Sequence, residues 1–393
     1  MMMVDDAVIG SRLQAARRAL GLTQGDVGRQ MNMAISTISA IEAGKRSVSG
    51  PELHAFARIY HRPIAYFFEE ESQESPAFQY LFRAAEHDIL DRGSIVEFEK
   101  LIHDYVLLEE LVGTSPLPLP PDYSQFGFRT ESDAEVLADM ERSRLGLGDA
   151  PIKEIRDLVD LLDAAVGIRT FLVPVQSSTW SGLVVRDPGG RPCIAVNAKD
   201  ESYRRNFSLA HEYGHALVHM GGQDTLVARI DRKAEPDRLS ADERFANAFA
   251  SAFLMPRRAV LAQLERVLGT SNGQFTDFDL VHLAMQFGVS GQAMSSRLVS
   301  LRKIPRQVHE DYWKSRSFKS LAQALGYNVE DWGRDVALPP RFRYLALKAY
   351  DEGQISLSKL AELLRENYYE LRDRLAATNA EPAETRRLGG ASS

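Results

Sequence analysis

The stretch His211-Glu212-Tyr213-Gly214-His215 constrains this chain more than any other, because it reads as one turn of a helix built to hold a divalent metal. Residues four apart on an α-helix lie on one face, so both imidazoles can reach a single ion. Glu212, one step round the helix, can then face a water beside that ion and take its proton. Asn206 to Ala210 before the stretch and Ala216 to Val218 after it suit a half-buried helix. A pattern this short also arises by chance, and two histidines on a core helix would produce the same five residues.

A third ligand separates those readings. A hydrolytic zinc site uses three protein ligands and leaves one position open. His219 continues the i, i+4 series, but it is about 12 Å along the axis from His211 at ~1.5 Å rise per residue, too far for one ion. It is expected behind the site or in packing. Glu243 is the favoured third ligand and Asp242 its rival. Both open a segment in which Ala246, Ala248, Ala250 and Ala252 let a second helix approach the first closely, and Pro256 stops that helix. The single cysteine, Cys193, leaves histidine and carboxylate as the donors. It also excludes an internal disulfide framework and suits a reducing cytoplasm.

These residues resemble the ImmA/IrrE family of metallopeptidases. Arg205, Phe207, His211, Glu212, Gly214 and His215 match the first family segment. Glu243, Ala246, Asn247, Phe249, Ala250, Leu254, Met255 and Pro256 match the second, with Phe253 in place of a usual leucine. The resemblance covers roughly residues 152–301. It implies a zincin-like peptidase domain with His211, His215 and Glu243 as ligands of Zn2+ and Glu212 as general base. It also implies a protein substrate, a repressor- or antitoxin-like regulator cleaved after stress or DNA damage. A small sheet is expected upstream. Residues 167–173 and 181–186 read as strands from their β-branched content, Asp187 to Gly190 as a turn, and residues 192–197 as a third strand. By analogy with zinc peptidases, the strand just before the zinc helix is the expected edge for an extended peptide.

Residues 8 to about 68 carry a second pattern. Thr23 can cap a short helix, and Ala34 to Gly44 reads as turn, helix and glycine stop. Leu53, Phe56, Ala57 and Tyr60 add an apolar face at helical spacing. Residues 1–68 hold eight Lys or Arg against five Asp or Glu, a local excess of +3 in a chain of net charge −7. Phosphate binding needs such a local excess. Leu22, Thr23, Gln24, Val27, Ser36 to Ser39, Ile41, Glu42, Gly44, Lys45 and Arg46 resemble the Xre-type helix-turn-helix, a repressor-like fold of five helices. The resemblance implies phosphate contacts from Gln24, Lys45 and Arg46. It also implies that Ile35, Ser36, Thr37 and Ala40 face the major groove. Ile35 and Ala40 stand where long polar side chains are usual, so base reading would be narrow, limited there to thymine methyls. A protein-interaction or dimerisation role for the same fold is the alternative.

The expected organisation is mainly α with a small β-sheet (α+β). A helix-turn-helix domain spans 1–70, a helical and Pro-rich linker 71–130, the peptidase domain 131–304, a helical region 305–376 and a disordered tail 377–393. Phe78, Leu81, Phe82, Ile95, Phe98, Leu101, Ile102, Tyr105, Leu108 and Leu111 recur at helical spacing across residues 77–113, suited to a core or to a second copy in a homodimer. The run from Pro116 to Pro121 is a stiff spacer. Phe287 to Ser290 is expected to separate two helices that close the peptidase domain. Residues 339–350 are expected to be helical, with a further helix from about 353 to Arg374, as a scaffold or sensor or a second helix-turn-helix. Nothing approaches the eighteen or so apolar residues of a membrane span, and no signal sequence precedes residue 6. A DNA partner, a protein substrate, no membrane and a cytoplasmic location complete the expectation. Two other functions compete: a regulator whose peptidase-like domain senses without cleaving, and an antitoxin-type binding protein.

Overall fold

The computed structural model describes residues 6–60, 62, 64–68, 92–114, 117–153, 155–174, 180–187, 189–220, 228–232, 239–270, 275–315, 318–327 and 338–380. The N-terminal region is all helical: α1 (Asp6–Ala19), α2 (Gln24–Met31), α3 (Ile35–Glu42), α4 (Gly50–Ile59) and a 3-10 turn at Ile64–Phe68. Local sequence explains its punctuation. Thr23 and Asp26 form a reciprocal cap on α2, and Ser49 and Glu52 do the same on α4. Ala34 precedes α3 with no side-chain cap. Leu13, Val27, Ile38, Ile41, Phe56 and Tyr60 pack into a separate small core.

The larger α+β region includes α6 (Glu131–Arg144) and α7 (Ile155–Asp160), whose last turn widens to π geometry at Leu161–Val166. Three strands follow, β1 (Arg169–Val173), β2 (Trp180–Arg186) and β3 (Pro192–Asn197), then α8 (Ser202–Val218), β4 (Ala228–Arg232) and α9 (Ala241–Leu254). Helices α10 (Arg257–Thr270), α11 (Asp277–Gln286), α12 (Gly291–Ser300), α13 (Arg306–Ser315) and α14 (Phe318–Ala324) follow. Leu321 and Ala322 of α14 join the core of this region, so the helical region expected at 305–376 does not stand apart from it over its first part. The fold is α+β. The sheet order is β1-β3-β2-β4, with β1 parallel to β3 and β2 antiparallel to both β3 and β4. Every residue of β1 and β3 is buried, which explains their near-continuous apolar sequences. The three expected strands form within about two residues of their expected ends. The expected edge does not: β3, directly before α8, lies inside the sheet between β1 and β2. On that side the outermost described strand is β4. Leu209, Tyr213, Phe249, Phe253, Leu280 and Leu298 belong to one core shared by α8, α9, α11 and α12. Thr276 caps α11 and Ser290 caps α12, so the expected helix, turn and helix are present.

Helix α5 (Arg92–Val112) precedes α6. Its stripe of Ile95, Phe98, Leu101, Ile102, Tyr105 and Leu108 is buried within the chain, so it is not on offer to a second copy. The segment with Phe78, Leu81 and Phe82 lies outside the described residues. The chain divides into two compact units, one within Met1–Ile102 and Leu117–Pro339, the other within His103–Pro116 and Pro340–Ser393. The second unit contains α15 (Pro340–Asp351), α16 (Leu357–Leu364) and α17 (Tyr368–Ala380). The single helix expected to Arg374 is two helices, because Arg365 adopts left-handed backbone at φ 58° and ends α16. Helix α17 continues to Ala380, past the expected start of the tail at 377, and residues 381–393 lie outside the described residues. Tyr105 packs edge-on against Phe342, ring centroids 5.4 Å apart, and Arg341 pairs with Glu109. No described helix is long and apolar enough to cross a membrane.

Candidate metal centre

Helix α8 carries His211 and His215 one turn apart on its buried face, and α9 delivers Glu243 from its first turn. The two helices approach closely at Gly214, where a Cβ would stand 2.9 Å from Phe249 Cδ1. A glycine at 214 is therefore what lets α9 come near enough for Glu243 to reach the imidazoles. His211 Nε2 lies 3.0 Å from His215 Nε2 and 3.1 Å from Glu243 Oε2, and His215 Nε2 lies 3.5 Å from Glu243 Oε1. Donor atoms at ordinary zinc distances in a tetrahedral site stand about 3.4 Å apart, so this set fits such an ion. Asp242, the rival ligand, does not join the cluster; its Oδ1 stands 3.5 Å from His219 Nε2. Burial opposes the charge on Glu243, but hydrogen bonds from His211 and His215 outweigh it and hold its carboxyl well below the usual carboxylate range. The cluster thus offers two imidazole nitrogens and one carboxylate. Behind His211, Nδ1 lies 3.0 Å from Asn247 Oδ1, which directs the other ring nitrogen toward the cluster.

Glu212 is fully buried and faces β2. A Cβ at Gly182 would stand 2.8 Å from both Cγ and Oε1 of Glu212. The strand thus leaves room for this carboxylate only because residue 182 has no side chain. On the far side of α8, the Tyr213 hydroxyl donates to the buried Glu141 of α6, which also accepts from Tyr123 at 2.8 Å and from Arg144 at 2.8 and 2.6 Å. This anchor sets the rotation of α8 about its axis, and hence where its histidines point. Nothing in the sequence alone marks Gly182 or Glu141. Both are contacts between residues far apart in the chain, and neither has a local signature.

In the N-terminal region, α3 exposes Ile35 (59%), Ser36 and Ser39, while Thr37 and Ala40 are half-buried. Lys45 and Arg46 follow on the surface, and Arg46 pairs with Glu52 at 2.8 Å. Gln24 is drawn inward instead: its Nε2 donates to Glu42 Oε2 at 2.9 Å. Glu42 also accepts two bonds from Arg17, at 2.5 and 2.9 Å, and Arg17 donates to Leu22 O at 2.7 Å. Burial works against the Glu42 charge, and Arg17 and Gln24 together lower its pKa in spite of it. This buried brace joins α1, α2 and α3.

Comparison with known proteins agrees with this division. Residues 164–299 match the IrrE N-terminal-like domain, and residues 8–65 match a helix-turn-helix domain. Over 192 residues, 48% of this chain and 54% of the relative, the chain is 32% identical to the radiation response metalloprotease IrrE of Deinococcus radiodurans. Over 65 residues, 16% of this chain and 47% of the relative, it is 29% identical to an uncharacterized HTH-type transcriptional regulator of Sinorhizobium medicae. The chain spans about half the length of the curated relatives it matches. A crystal structure of Bacillus thuringiensis PlcR in complex with the peptide PapR7 and DNA aligns over 95% of this chain and 97% of that one, at 10% identity. Its TM-score is 0.17, too low for the likeness to carry an argument.

Proposed function

We propose that this chain, which joins a helix-turn-helix domain to an IrrE N-terminal-like metallopeptidase-family domain, is a DNA-binding regulator that hydrolyses a peptide bond in a repressor- or antitoxin-like protein. The observation that carries the reading is the convergence of His211, His215 and Glu243 beside a buried Glu212. When bound, zinc supplies Lewis-acid polarisation of a carbonyl and acidification of water. Glu212 accepts a proton from the attacking water and later returns one to the leaving amine. Asn247 and Glu141 act before the reaction, holding His211 and the helix in orientation. A pure sensor has no need of Glu212, nor of a glycine at 182 to admit its carboxylate, which weighs against the non-cleaving alternative.

The N-terminal domain supplies the partner and the place. Lys45, Arg46 and the exposed start of α3 meet phosphates and the major groove, and DNA puts the protein in the cytoplasm. A stress or DNA-damage response is the setting in which cleavage of a DNA-bound regulator is useful, and the likeness to a radiation response metalloprotease supports it. Comparative proteomics of cells carrying the wild-type chain or Glu212→Gln, with and without DNA damage, tests the reading. A regulator that is shortened only with the wild-type chain is expected. The same cleavage by both forms removes Glu212 from the chemistry, and no regulator shortened by either form removes the hydrolase reading.

A further inference from the structure

We propose that His219 and Asp242 form a relay behind the metal centre, in which His219 fixes the tautomer and ring rotation of His215. The proposal rests on the metal-site reading above and extends it to a positioning residue. His215 Nδ1 lies 2.8 Å from His219 Nδ1, a hydrogen-bond distance between two ring nitrogens. A bond between them requires one to carry the proton and the other to accept it. His215 turns Nε2 toward His211 and Glu243, so a ligating His215 keeps its proton on Nδ1. His219 Nδ1 is then the acceptor, and the His219 proton sits on Nε2. That nitrogen faces Asp242 Oδ1 at 3.5 Å. One assignment of protons satisfies both rings, and the chain of contacts ends on a carboxylate.

The parts of this relay are held in place independently. His219 closes the C-terminus of α8, its backbone N–H donating to His215 O at 2.9 Å. The ring is also met edge-on by Phe245, with centroids 5.5 Å apart and planes at 83°. Asp242, Glu243 and Phe245 all belong to the start of α9. Docking that one helix turn therefore sets the third ligand and the far end of the relay together. The two ligand histidines differ in consequence. A neutral amide backs His211, whereas an imidazole with a carboxylate behind it backs His215. An acceptor held on Nδ1–H raises the donor strength of Nε2 and fixes its aim, and loss of such a partner costs roughly 10–100-fold in metal affinity.

The test uses the full chain and Zn2+ in competition with a chromophoric chelator, with the Co2+ absorption spectrum as a second readout. His219→Ala is expected to weaken Zn2+ binding by roughly 10–100-fold and to change the Co2+ spectrum. His219→Gln, whose Oε1 can accept from His215 Nδ1 while Nε2 donates to Asp242, is expected to recover most of both. Asp242→Asn, a change at a half-exposed position, is expected to give a smaller loss and keeps the test available if His219→Ala fails to fold. Thermal unfolding of the metal-free variants reads packing separately. Equal zinc affinity in the Ala and Gln variants, or an unchanged affinity and Co2+ spectrum in all three, overturns the relay. A wild-type chain that takes up no stoichiometric zinc overturns the metal site itself, a distinguishable failure.

Discussion

The face of α8 proposed to hold a metal and the surface of α3 proposed to meet DNA are both short helical segments, yet they are built in opposite ways. His211, Glu212 and His215 are buried, and both ligand imidazoles have a partner behind the ring. Around α3 the buried, hydrogen-bonded residues are Arg17 and Glu42, while Ile35, Ser36 and Lys45 lie open to solvent. In the first region a side chain acts through its position to a fraction of an ångström, so its surroundings are part of the site. In the second, the brace holds the helix and the contacts are made by whatever projects from it. Substitutions should therefore be costly around the metal, costly at the helix-turn-helix brace, and mild on its surface.

The largest effect expected from a change outside the ligands is at Gly182. Gly182→Ala places a methyl against Glu212 and displaces the carboxylate. Cleavage should fall toward the loss typical of a missing general base, roughly 100-fold or more, with zinc content unchanged in elemental analysis. Retained cleavage would mean that Glu212 does not work from the position seen here. Next comes Arg17→Ala, which leaves Glu42 buried without its guanidinium. A loss of about 3–5 kcal/mol is expected from breaking such a pair, read by denaturant unfolding of the full chain as a shift of the N-terminal transition alone. The same pair sets a pH dependence. The Glu42 carboxyl is depressed in the folded state, so its contribution is present above the ordinary carboxylate pKa of about 4.3 and is lost as pH falls through the lower folded value. Glu42→Gln should flatten that acid limb.

What could be read from the sequence divides along the same line. The i, i+4 histidines, the strands at 167–173, 181–186 and 192–197 and the cap at Thr23 are local patterns, and periodicity or residue type carries them. Glu243 was reachable because it begins an alanine-rich helix that ends at Pro256. His219 behind His215 was legible in the same way, as a continuation of the i, i+4 series. Two features were not legible, for a common reason: Gly182 against Glu212 and Glu141 under Tyr213 depend on packing between distant residues. Gln24 shows the same limit in reverse. It was expected to face phosphate, and the fold turns its amide to Glu42. Strand β4 carries only a weak signal: Ala228 and Ile230 alternate with Arg229 and Asp231, but the run is too short to stand out.

The smallest effects belong to the exposed surface of the helix-turn-helix. Lys45→Ala should reduce the salt dependence of DNA binding by about one phosphate contact, a change of roughly 0.9 in the log–log slope, read by titrations on duplex DNA at several salt concentrations. Ile35, exposed at the start of α3, can distinguish bases only by contact with a thymine methyl. Replacing thymine by uracil in a selected duplex should weaken the wild-type chain slightly and leave Ile35→Ala unaffected. A slope and a preference untouched by both substitutions would favour a protein-interaction role for this domain.

Elemental analysis of the purified full chain tests the central claim most directly. About one zinc per chain is expected for a three-ligand site with an open position, with loss of that zinc in Glu243→Ala and retention in Glu212→Gln. Absence of stoichiometric metal from the wild-type chain, or its full retention in Glu243→Ala, would contradict the account.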